Sequence, residues 1–396
     1  MGFGTLAIIA AAGLIGPLLA LRSGWNIPVV LGELAAGLVL GSTGFGWLDA
    51  ADPTLTFLAD IGFALVMFVA GSHVPVRDPV LRRGVRPAFL RAVAVGVIAA
   101  VLGVTLSTAF DTGHGALYAV LMASSSAALI LPIVDSLRLT GPAVLELLPQ
   151  VAIADAACIV ALPLVIDPSK AGRAALGATA VIACALLMYF VLRSFERSGR
   201  RRRVHRISQQ RKFAVELRIS LAILFTLAAV AVGTHVSIML AGFTFGLVIA
   251  AIGEPRRLAK QLFGLTEGFL GPLFFVWLGA SLDVRELAEH PPLILLGLLL
   301  GFGAFVAHVA MRVTGQPLAI GSLACAQLGV PVAAATLATQ LHLLAAGEAP
   351  ALILGALVTV VITVVAAGVA ARGATTDAAP AISPTDEPPP ATSPAG

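Results

Sequence analysis

The chain has 396 residues, of which 58% are hydrophobic and only 12% are charged, and its mean hydropathy is +0.98. A soluble domain carries roughly 25% charged and about 45–50% apolar residues, so this composition excludes a soluble globular protein. The net charge of +4 says little about partners, because it comes largely from one loop. The composition therefore indicates an integral membrane protein.

Apolar segments of roughly 20 residues, bounded by Gly, Pro or charged residues, follow one another along the chain. The first, within "MGFGTLAIIAAAGLIGPLLALRSG", lacks a basic n-region and a small-residue cleavage site, so we expect a membrane span and not a signal peptide. The pattern predicts thirteen transmembrane helices. They are 3–21, 27–48, 54–73, 87–110, 115–137, 143–166, 172–193, 214–233, 235–253, 261–281, 290–313, 317–341 and 349–372.

The basic residues predict the orientation of these spans. With the N-terminus outside and the C-terminus in the cytoplasm, 22 of the 25 Lys and Arg fall on the cytoplasmic side, as the positive-inside rule requires. The loop "RSFERSGRRRRVHRISQQRK" would suit nucleic acid or anionic lipid, but a cytoplasmic anchor that fixes topology explains it more simply. We expect a multi-pass protein of the plasma (inner) membrane. The Pro-, Ala- and Thr-rich segment 373–396 is expected to be a disordered cytoplasmic tail.

The thirteen predicted spans divide into six, one and six. The two sets of six start on opposite sides of the membrane, so they form an inverted repeat, with 172–193 as a linker helix. Such repeats are typical of secondary transporters, whose binding sites lie near the midplane on discontinuous helices. The fold class expected is an all-α membrane protein with helix interruptions at matching positions of its two halves.

Two interruptions occur at matching positions, in the fifth span of each half. In the first half, "MASSSAALILP" places three serines mid-span, and in the second half "CAQLGVPVAAA" places Gly329 and Pro331 there. Pro331 frees a backbone carbonyl, and Gly329 lets the helix unwind. Each interruption alone is explained by an ordinary kink. Found together, they predict two broken helices that cross at an ion site.

One carboxylate, Asp155, interrupts the apolar run "QVAIADAACIV" at the centre of the sixth span. A charge at this depth costs about 2.5–3.5 kcal/mol on insertion scales, so it is normally functional. The alternative is a structural aspartate that a backbone or serine partner holds neutral. A carboxylate that binds either a proton or a cation is a minimal exchanger, and freed carbonyls and serine hydroxyls would complete an oxygen shell.

Other polar residues within the spans are weaker candidates. Glu33 lies about a third of the way in from the cytoplasmic side, where it either lines an access path or packs against a helix terminus. His308 in the eleventh span is either a satisfied structural residue or part of the site. Cys158, Cys184 and Cys325 lack metal-ligand spacing, and no cofactor is expected. The predicted ion ligands are Asp155, Ser124, Ser125 and Ser126, with His308, Gln327 and Glu33 in supporting or pH-tuning positions.

Six segments, in order, resemble the cation:proton antiporter-2 family of monovalent cation/proton antiporters. They are "PVVLGELAAGLVLGSTGFG", "LADIGFALVMFVAG", "MASSSAALI", "PQVAIADAACIVALPLV", "SIMLAGFTFGLVIA" and "LFFVWLGASLDV". The resemblance covers roughly residues 5–370 and implies a homodimer whose core domain moves against a scaffold domain like an elevator. It places scaffold helices within 1–80 and 214–285, and core helices within 81–166 and 286–372.

The resemblance also implies roles for single residues. Asp155 matches the essential ion-binding aspartate, and His308 takes a place where family members often carry Lys or Arg. The sequence departs at Ala154, where the family usually has an acidic or amide residue, and in "AGSHVPV", where an acidic residue is often found. Because Ala154 cannot ionise, His308 lacks an acidic partner, and we expect it to be an uncharged hydrogen-bond partner. One proton would then exchange for one cation, without net charge movement.

The leading hypothesis is therefore an antiporter of Na⁺ or K⁺ and protons that serves pH homeostasis. A proton- or sodium-coupled symporter of an organic anion is the alternative, and it would need fixed positive charge or exposed helix N-termini in the cavity. Only His308 offers positive charge. An intramembrane aspartyl hydrolase would need two carboxylates in one site, and no second midplane acid is evident near Asp155, so no enzyme is expected.

Overall fold

The computed structural model describes residues 1–21, 29–72, 76, 79–197, 215–234, 236–253, 256–282, 284–341 and 343–377, and the regular structure within these ranges is helical. The α-helices are α1 (Phe3–Gly13), α2 (Ile15–Ala20), α3 (Val29–Leu40), α4 (Pro53–Ser72), α5 (Pro79–Ala109), α6 (Gly115–Ala123), α7 (Ala127–Ser136), α8 (Pro142–Ile166), α9 (Ala171–Arg197), α10 (Val215–Gly233), α11 (Ile238–Ile252), α12 (Arg256–Leu265), α13 (Gly271–Ser281), α14 (Val284–Glu289), α15 (Pro291–Val309), α16 (Leu318–Ala324), α17 (Gly329–Gln340) and α18 (Glu348–Asp377). A π-helical turn, Thr266–Leu270, joins α12 to α13.

Ten segments in the described ranges are long and apolar enough to cross a membrane. Two shorter apolar helices, α3 and α11, lie among them, and the pair α6 and α7 occupies the residues predicted for the fifth span. A lipid environment requires each spanning segment to satisfy its own backbone hydrogen bonds, which helices do. The protein is an all-helical, multi-span integral membrane protein.

The helices pack in two groups. In the first group, α1 to α4 pack with α10 to α13, and in the second, α5 to α8 pack with α15 to α18. Helix α9 lies against α8, α10 and α11, so it contacts both groups. Direct packing between the groups is sparse and runs mainly through α4 against α7 and α8 against α11.

Glycines set the closest approach inside the first group, where α3 and α13 touch backbone to backbone. A Cβ atom at Gly37 would lie 2.1 Å from the carbonyl oxygen of Val276, and one at Gly279 would lie 2.1 Å from that of Leu34. Small residues that permit such contact are a main source of helix association in lipid, where apolar burial supplies no driving force.

Two helix boundaries differ from the sequence prediction. Helix α5 begins at Pro79 and runs through Pro87, which was predicted to start it; proline at a first helical position is favoured, so Pro79 starts a helix well. Helix α18 extends to Asp377, so the first residues of the predicted disordered tail are helical. The first proline after Pro350 is Pro380, so no proline ends the helix before Asp377. Residues 378–396 and residues 198–214 of the basic loop lie outside the described residues.

Candidate functional site

The fifth predicted span is broken in its middle. Helix α6 ends at Ala123, and α7 begins at Ala127. Between them Ser124 is extended, with φ −70° and ψ 153°, and the carbonyl of Ser126 accepts the N–H of Ile130 at 3.0 Å to start α7. The break therefore places the N-terminal end of α7 inside the helix bundle.

Asp155 lies opposite this end of α7. It sits on α8, only 6% of its surface is exposed, and its Oδ2 accepts a hydrogen bond from the backbone N–H of Ala127 at 3.1 Å. The first N–H groups of a helix have no partner within the helix and carry partial positive charge, so they stabilise an anion. The break thus supplies a fixed donor to the one carboxylate at the centre of α8.

The twelfth predicted span is broken as well, and the two breaks touch. Helix α16 ends at Ala324, and α17 begins at Gly329. The Ser125 hydroxyl donates to the carbonyl oxygen of Ala324 at 2.5 Å, and the N–H of Gln327 donates to Thr359 Oγ1 at 3.1 Å. Asp155, the start of α7 and the end of α16 therefore form one connected arrangement.

The three predicted serines are all buried, but their side chains do different things. The Ser125 hydroxyl joins the two breaks, whereas the Ser124 hydroxyl donates back to the carbonyl of Leu121 in its own chain segment at 2.8 Å. Gln327 is buried and holds the second break through its backbone, while its side-chain Nε2 has no hydrogen-bond partner in the described part of the chain. Ser125 is the serine with the strongest structural link to the site.

Glu33 and His308 are buried on other helices, α3 and α15. Glu33 belongs to the first helix group, where a Cβ atom at Gly16 would lie 3.0 Å from its Cγ. His308 lies near the end of α15, and its Nδ1 pairs with the carbonyl oxygen of Ala304 at 2.9 Å. Among the described residues, no hydrogen bond joins either side chain to Asp155.

A buried polar cluster that sequence reasoning missed surrounds Glu348, the first residue of α18. Its side chain is fully buried, and Oε1 accepts the Tyr118 hydroxyl at 2.6 Å and pairs with His114 Nδ1 at 2.7 Å. Oε2 accepts the N–H of Ala345 at 3.1 Å. The hydrogen bond to Glu348 raises the pKa of His114 above its usual value. In the sequence, the only sign of this cluster is an acidic residue in the first turn of a helix. An acidic residue is favourable at the N-terminus of any helix, so it does not point to a cluster.

A cavity of about 730 Å³ opens between the two helix groups. One wall contains Asp49, from the α3–α4 connection, and Trp277 of α13; the other contains Thr336 of α17 and the α17–α18 connection near Ala345. Asp155 is not among the lining residues, so this cavity is separate from the carboxylate site. Its second wall includes Ala345, whose backbone N–H donates to the buried Glu348 carboxylate.

A membrane-spanning helical bundle with two interrupted helices beside a buried carboxylate is typical of secondary transporters. The family model described as "Sodium/hydrogen exchanger, transmembrane" matches residues 7–371. The match covers most of the chain, and the chain belongs to this family.

Individual relatives agree with this family. The Bacillus subtilis (strain 168) protein YjbQ, provisionally named as a Na⁺/H⁺ antiporter, is 25% identical over 387 residues, covering 90% of this chain and 61% of YjbQ. The glutathione-regulated potassium-efflux system protein KefC of Enterobacter sp. (strain 638) is 28% identical over 305 residues, covering 75% of this chain and 47% of KefC. The chain thus spans 61% of the length of YjbQ and 47% of the length of KefC.

The fold also matches a solved transporter structure. The sodium proton antiporter MjNhaP1 from Methanocaldococcus jannaschii at pH 8 superposes with a TM-score of 0.64, covering 94% of this chain and 97% of MjNhaP1. The sequences are only 15% identical, so the likeness concerns the fold.

Proposed function

We propose that this protein is a secondary antiporter that exchanges a monovalent cation, Na⁺ or K⁺, for protons at Asp155. The observation that carries the proposal is the hydrogen bond from the start of α7 to the buried Asp155 carboxylate, together with the Ser125 link to the end of α16. A proton and a cation neutralise the same carboxylate charge, so binding of one excludes the other. That competition couples their movements.

The ion shell would draw on oxygen atoms at the two breaks. The carboxylate supplies charge, and the hydroxyls of Ser124, Ser125 and Ser126 and freed backbone carbonyls supply neutral ligands, which suit hard cations. Gln327 holds the second break, and His308 and Glu33 act from outside the shell by tuning hydration and pH dependence. The names of the relatives point to Na⁺ for YjbQ and to K⁺ for KefC, so we propose either Na⁺ or K⁺ as the transported cation.

Transport would proceed by movement of the second helix group against the first. The sparse packing between the groups supports a scaffold within 1–80 and 214–285 and an elevator-type core within 81–166 and 286–372. In this proposal thirteen spans form a six-one-six inverted repeat around the linker helix 172–193. The protein would be a homodimer in the plasma membrane, with the N-terminus outside, and would serve pH homeostasis.

The exchange would be electroneutral. Ala154, the neighbour of Asp155, is buried and carries no ionisable group. The buried His308 pairs with a backbone carbonyl, and no ion pair involving it occurs among the described residues. Asp155 is then the one group that exchanges a proton for a cation. The organic-anion symporter draws no support from the relatives, whose names concern cations.

The activity is tested in inside-out membrane vesicles that hold a pre-formed pH gradient. Addition of Na⁺ or K⁺ should collapse the gradient in vesicles that contain the protein and leave it intact in vesicles that lack it. Indifference of the gradient to Na⁺, K⁺ and Li⁺ alike would overturn the proposal. Comparison of the three ions also gives the cation preference, which oxygen ligands alone do not determine.

A further inference from the structure

The last span, α18, holds the second break through one threonine. Thr359 is fully buried, and its Oγ1 accepts the backbone N–H of Gln327 at 3.1 Å. The same hydroxyl donates to the carbonyl oxygen of Ala356 at 2.7 Å. A hydroxyl has one hydrogen, so with that hydrogen engaged Thr359 meets Gln327 as an acceptor. The bond to Ala356 is the usual contact of a threonine within its own helix. The bond to Gln327, 32 residues away, is not, and it fixes the position of Gln327 in the break.

The carbonyl oxygen of Gln327 is left free by the sequence that follows. In a continuous helix the N–H four residues later would donate to it, but that residue is Pro331, which has no N–H. Helix α17 instead starts with the bond from the Val332 N–H to the Leu328 carbonyl oxygen at 3.1 Å. Among the described residues, no hydrogen bond to the Gln327 carbonyl oxygen occurs. At membrane depth such an oxygen persists where a cavity or a ligand satisfies it.

This free oxygen belongs to the chain segments that surround Asp155. The Ser125 hydroxyl contacts the Ala324 carbonyl oxygen, three residues before Gln327, and Ser125 stands two residues before Ala127, the donor to Asp155. Helix α17, which follows Gln327, also packs against α8, the helix that carries Asp155. The free oxygen is therefore part of the connected arrangement of the two breaks.

The two breaks are held in the same way but by different chemistry. In each half of the chain, a side-chain oxygen from the span that follows the broken one accepts an N–H at the break: Asp155 accepts that of Ala127, and Thr359 accepts that of Gln327. Asp155 brings a charge and a group that titrates. The Thr359 hydroxyl brings neither, so its contribution is to the shape of the site.

We propose that Thr359 is a positioning residue of the cation site, and that it holds Gln327 so that the free Gln327 carbonyl oxygen is a ligand of the cation. Carbonyl oxygens of unwound segments suit hard cations such as Na⁺, and a ligand that is already fixed binds without the cost of ordering it. A proton binds to Asp155 and does not need this oxygen. Thr359 therefore sets the cation affinity without titrating. The inference rests on the proposed exchange at Asp155.

Thr359→Val tests the positioning role, because it removes the hydroxyl and leaves the buried Gln327 N–H without its acceptor. Loss of such a partner corresponds to a factor of roughly 5–150 in an equilibrium constant. In proteoliposomes we expect the KM for Na⁺ or K⁺ to rise at least about fivefold, while the maximal rate of exchange stays within about twofold of the wild type. Thr359→Ser retains a hydroxyl and should restore most of the affinity.

Pro331→Ala tests the ligand role of the Gln327 oxygen independently. The new N–H lets α17 extend backwards and donate to that oxygen, which then competes with the cation. We expect a higher KM in this variant as well. In the double variant with Thr359→Val the rise should be smaller than the product of the two single effects, because both substitutions act on one oxygen.

Cation binding is also measured without transport, as the rise in unfolding temperature that Na⁺ or K⁺ causes in detergent at alkaline pH. Both Thr359→Val and Pro331→Ala should need more cation than the wild type for the same rise. The control is Thr244→Val on α11, whose hydroxyl donates within its own helix to the Leu240 carbonyl oxygen at 2.7 Å. It should keep the wild-type KM and the wild-type response to cations.

A folded Thr359→Val variant with the wild-type KM and the wild-type response to cations would overturn the positioning role. So would a Thr359→Ser variant as weak as Thr359→Val, or an equal loss of affinity in Thr244→Val. If Thr359→Val does not fold, Pro331→Ala decides, since wild-type cation binding there would overturn the ligand role of the Gln327 oxygen. A wild type that binds the cation but moves no protons would contradict the proposed exchange instead.

Discussion

Ser125→Ala removes the side-chain hydrogen bond that, among the described residues, joins the two broken helices. The Ser125 hydroxyl is 2.5 Å from the Ala324 carbonyl oxygen, and Ser125 is only 2% exposed, so water does not readily replace the lost donor. A buried acceptor left unpaired costs about 1–3 kcal/mol, which corresponds to a factor of roughly 5–150 in an equilibrium constant. If both breaks form the cation site, the KM for the cation should rise by a factor in this range.

Ser124→Ala is the comparison variant, because it removes another proposed ligand hydroxyl without leaving a buried acceptor unpaired. The Ser124 hydroxyl donates to the Leu121 carbonyl at 2.8 Å, but that carbonyl also accepts the backbone N–H of Ser124 at 3.0 Å, so it keeps a partner in the variant. We therefore expect a clearly smaller change in KM. Ser125→Thr retains a hydroxyl and should recover much of the affinity.

The assay measures cation-driven proton movement in proteoliposomes over a range of cation concentrations, with thermal unfolding in detergent as a check on folding. Equal changes in KM for Ser124→Ala and Ser125→Ala would refute the reasoning. So would a folded Ser125→Ala variant with the wild-type KM.

Three further outcomes follow from the structure. The raised pKa of His114, caused by its bond to Glu348, gives a stabilisation that is present below about pH 6.5 and is lost as the pH rises through the folded-state value. Thermal unfolding from pH 5.5 to 9 should therefore show a decline that His114→Asn lacks, and parallel profiles would contradict this. The exchange rate with Na⁺ should not change when valinomycin and K⁺ clamp the membrane potential; a voltage-dependent rate would mean that a second charge moves. Gly279→Ala should destabilise the protein by about 1–3 kcal/mol in denaturant unfolding, because its Cβ would lie 2.1 Å from a backbone oxygen, whereas Gly264→Ala, with open space around it, should not.

The parts of the site that the sequence predicts are those that contrast with their surroundings. Asp155 is a lone charge in an apolar run, and a Gly and a Pro in mid-span signal an interruption wherever they fall. The structure has a break within each predicted segment, at 124–126 in "MASSSAALILP" and at 325–328 in "CAQLGVPVAAA", where Gly329 and Pro331 already belong to the start of α17. The helical membrane fold follows from hydropathy alone. Local composition is sufficient for these features because a membrane leaves few alternatives.

The long-range pairs could not be predicted in this way. The hydrogen-bonded Gln150 and Gln316 are 166 residues apart, and His114 and Glu348 are 234 apart, so nothing local links the partners. His114, Gln316 and Glu348 also have an ordinary explanation at a span end. Their pairing depends on how α6, α8, α16 and α18 pack, and that packing is a property of the folded chain.

The central claim is that a single carboxylate exchanges a proton for a cation, and Asp155→Asn tests it most directly. The substitution keeps the side-chain volume but removes the titrating group, so the variant should insert and fold. Purified wild-type protein in proteoliposomes should release protons when Na⁺ or K⁺ is added on the opposite side, and the Asp155→Asn variant should release none above the protein-free background. Proton release by a folded Asp155→Asn variant at a rate comparable to the wild type would contradict the account.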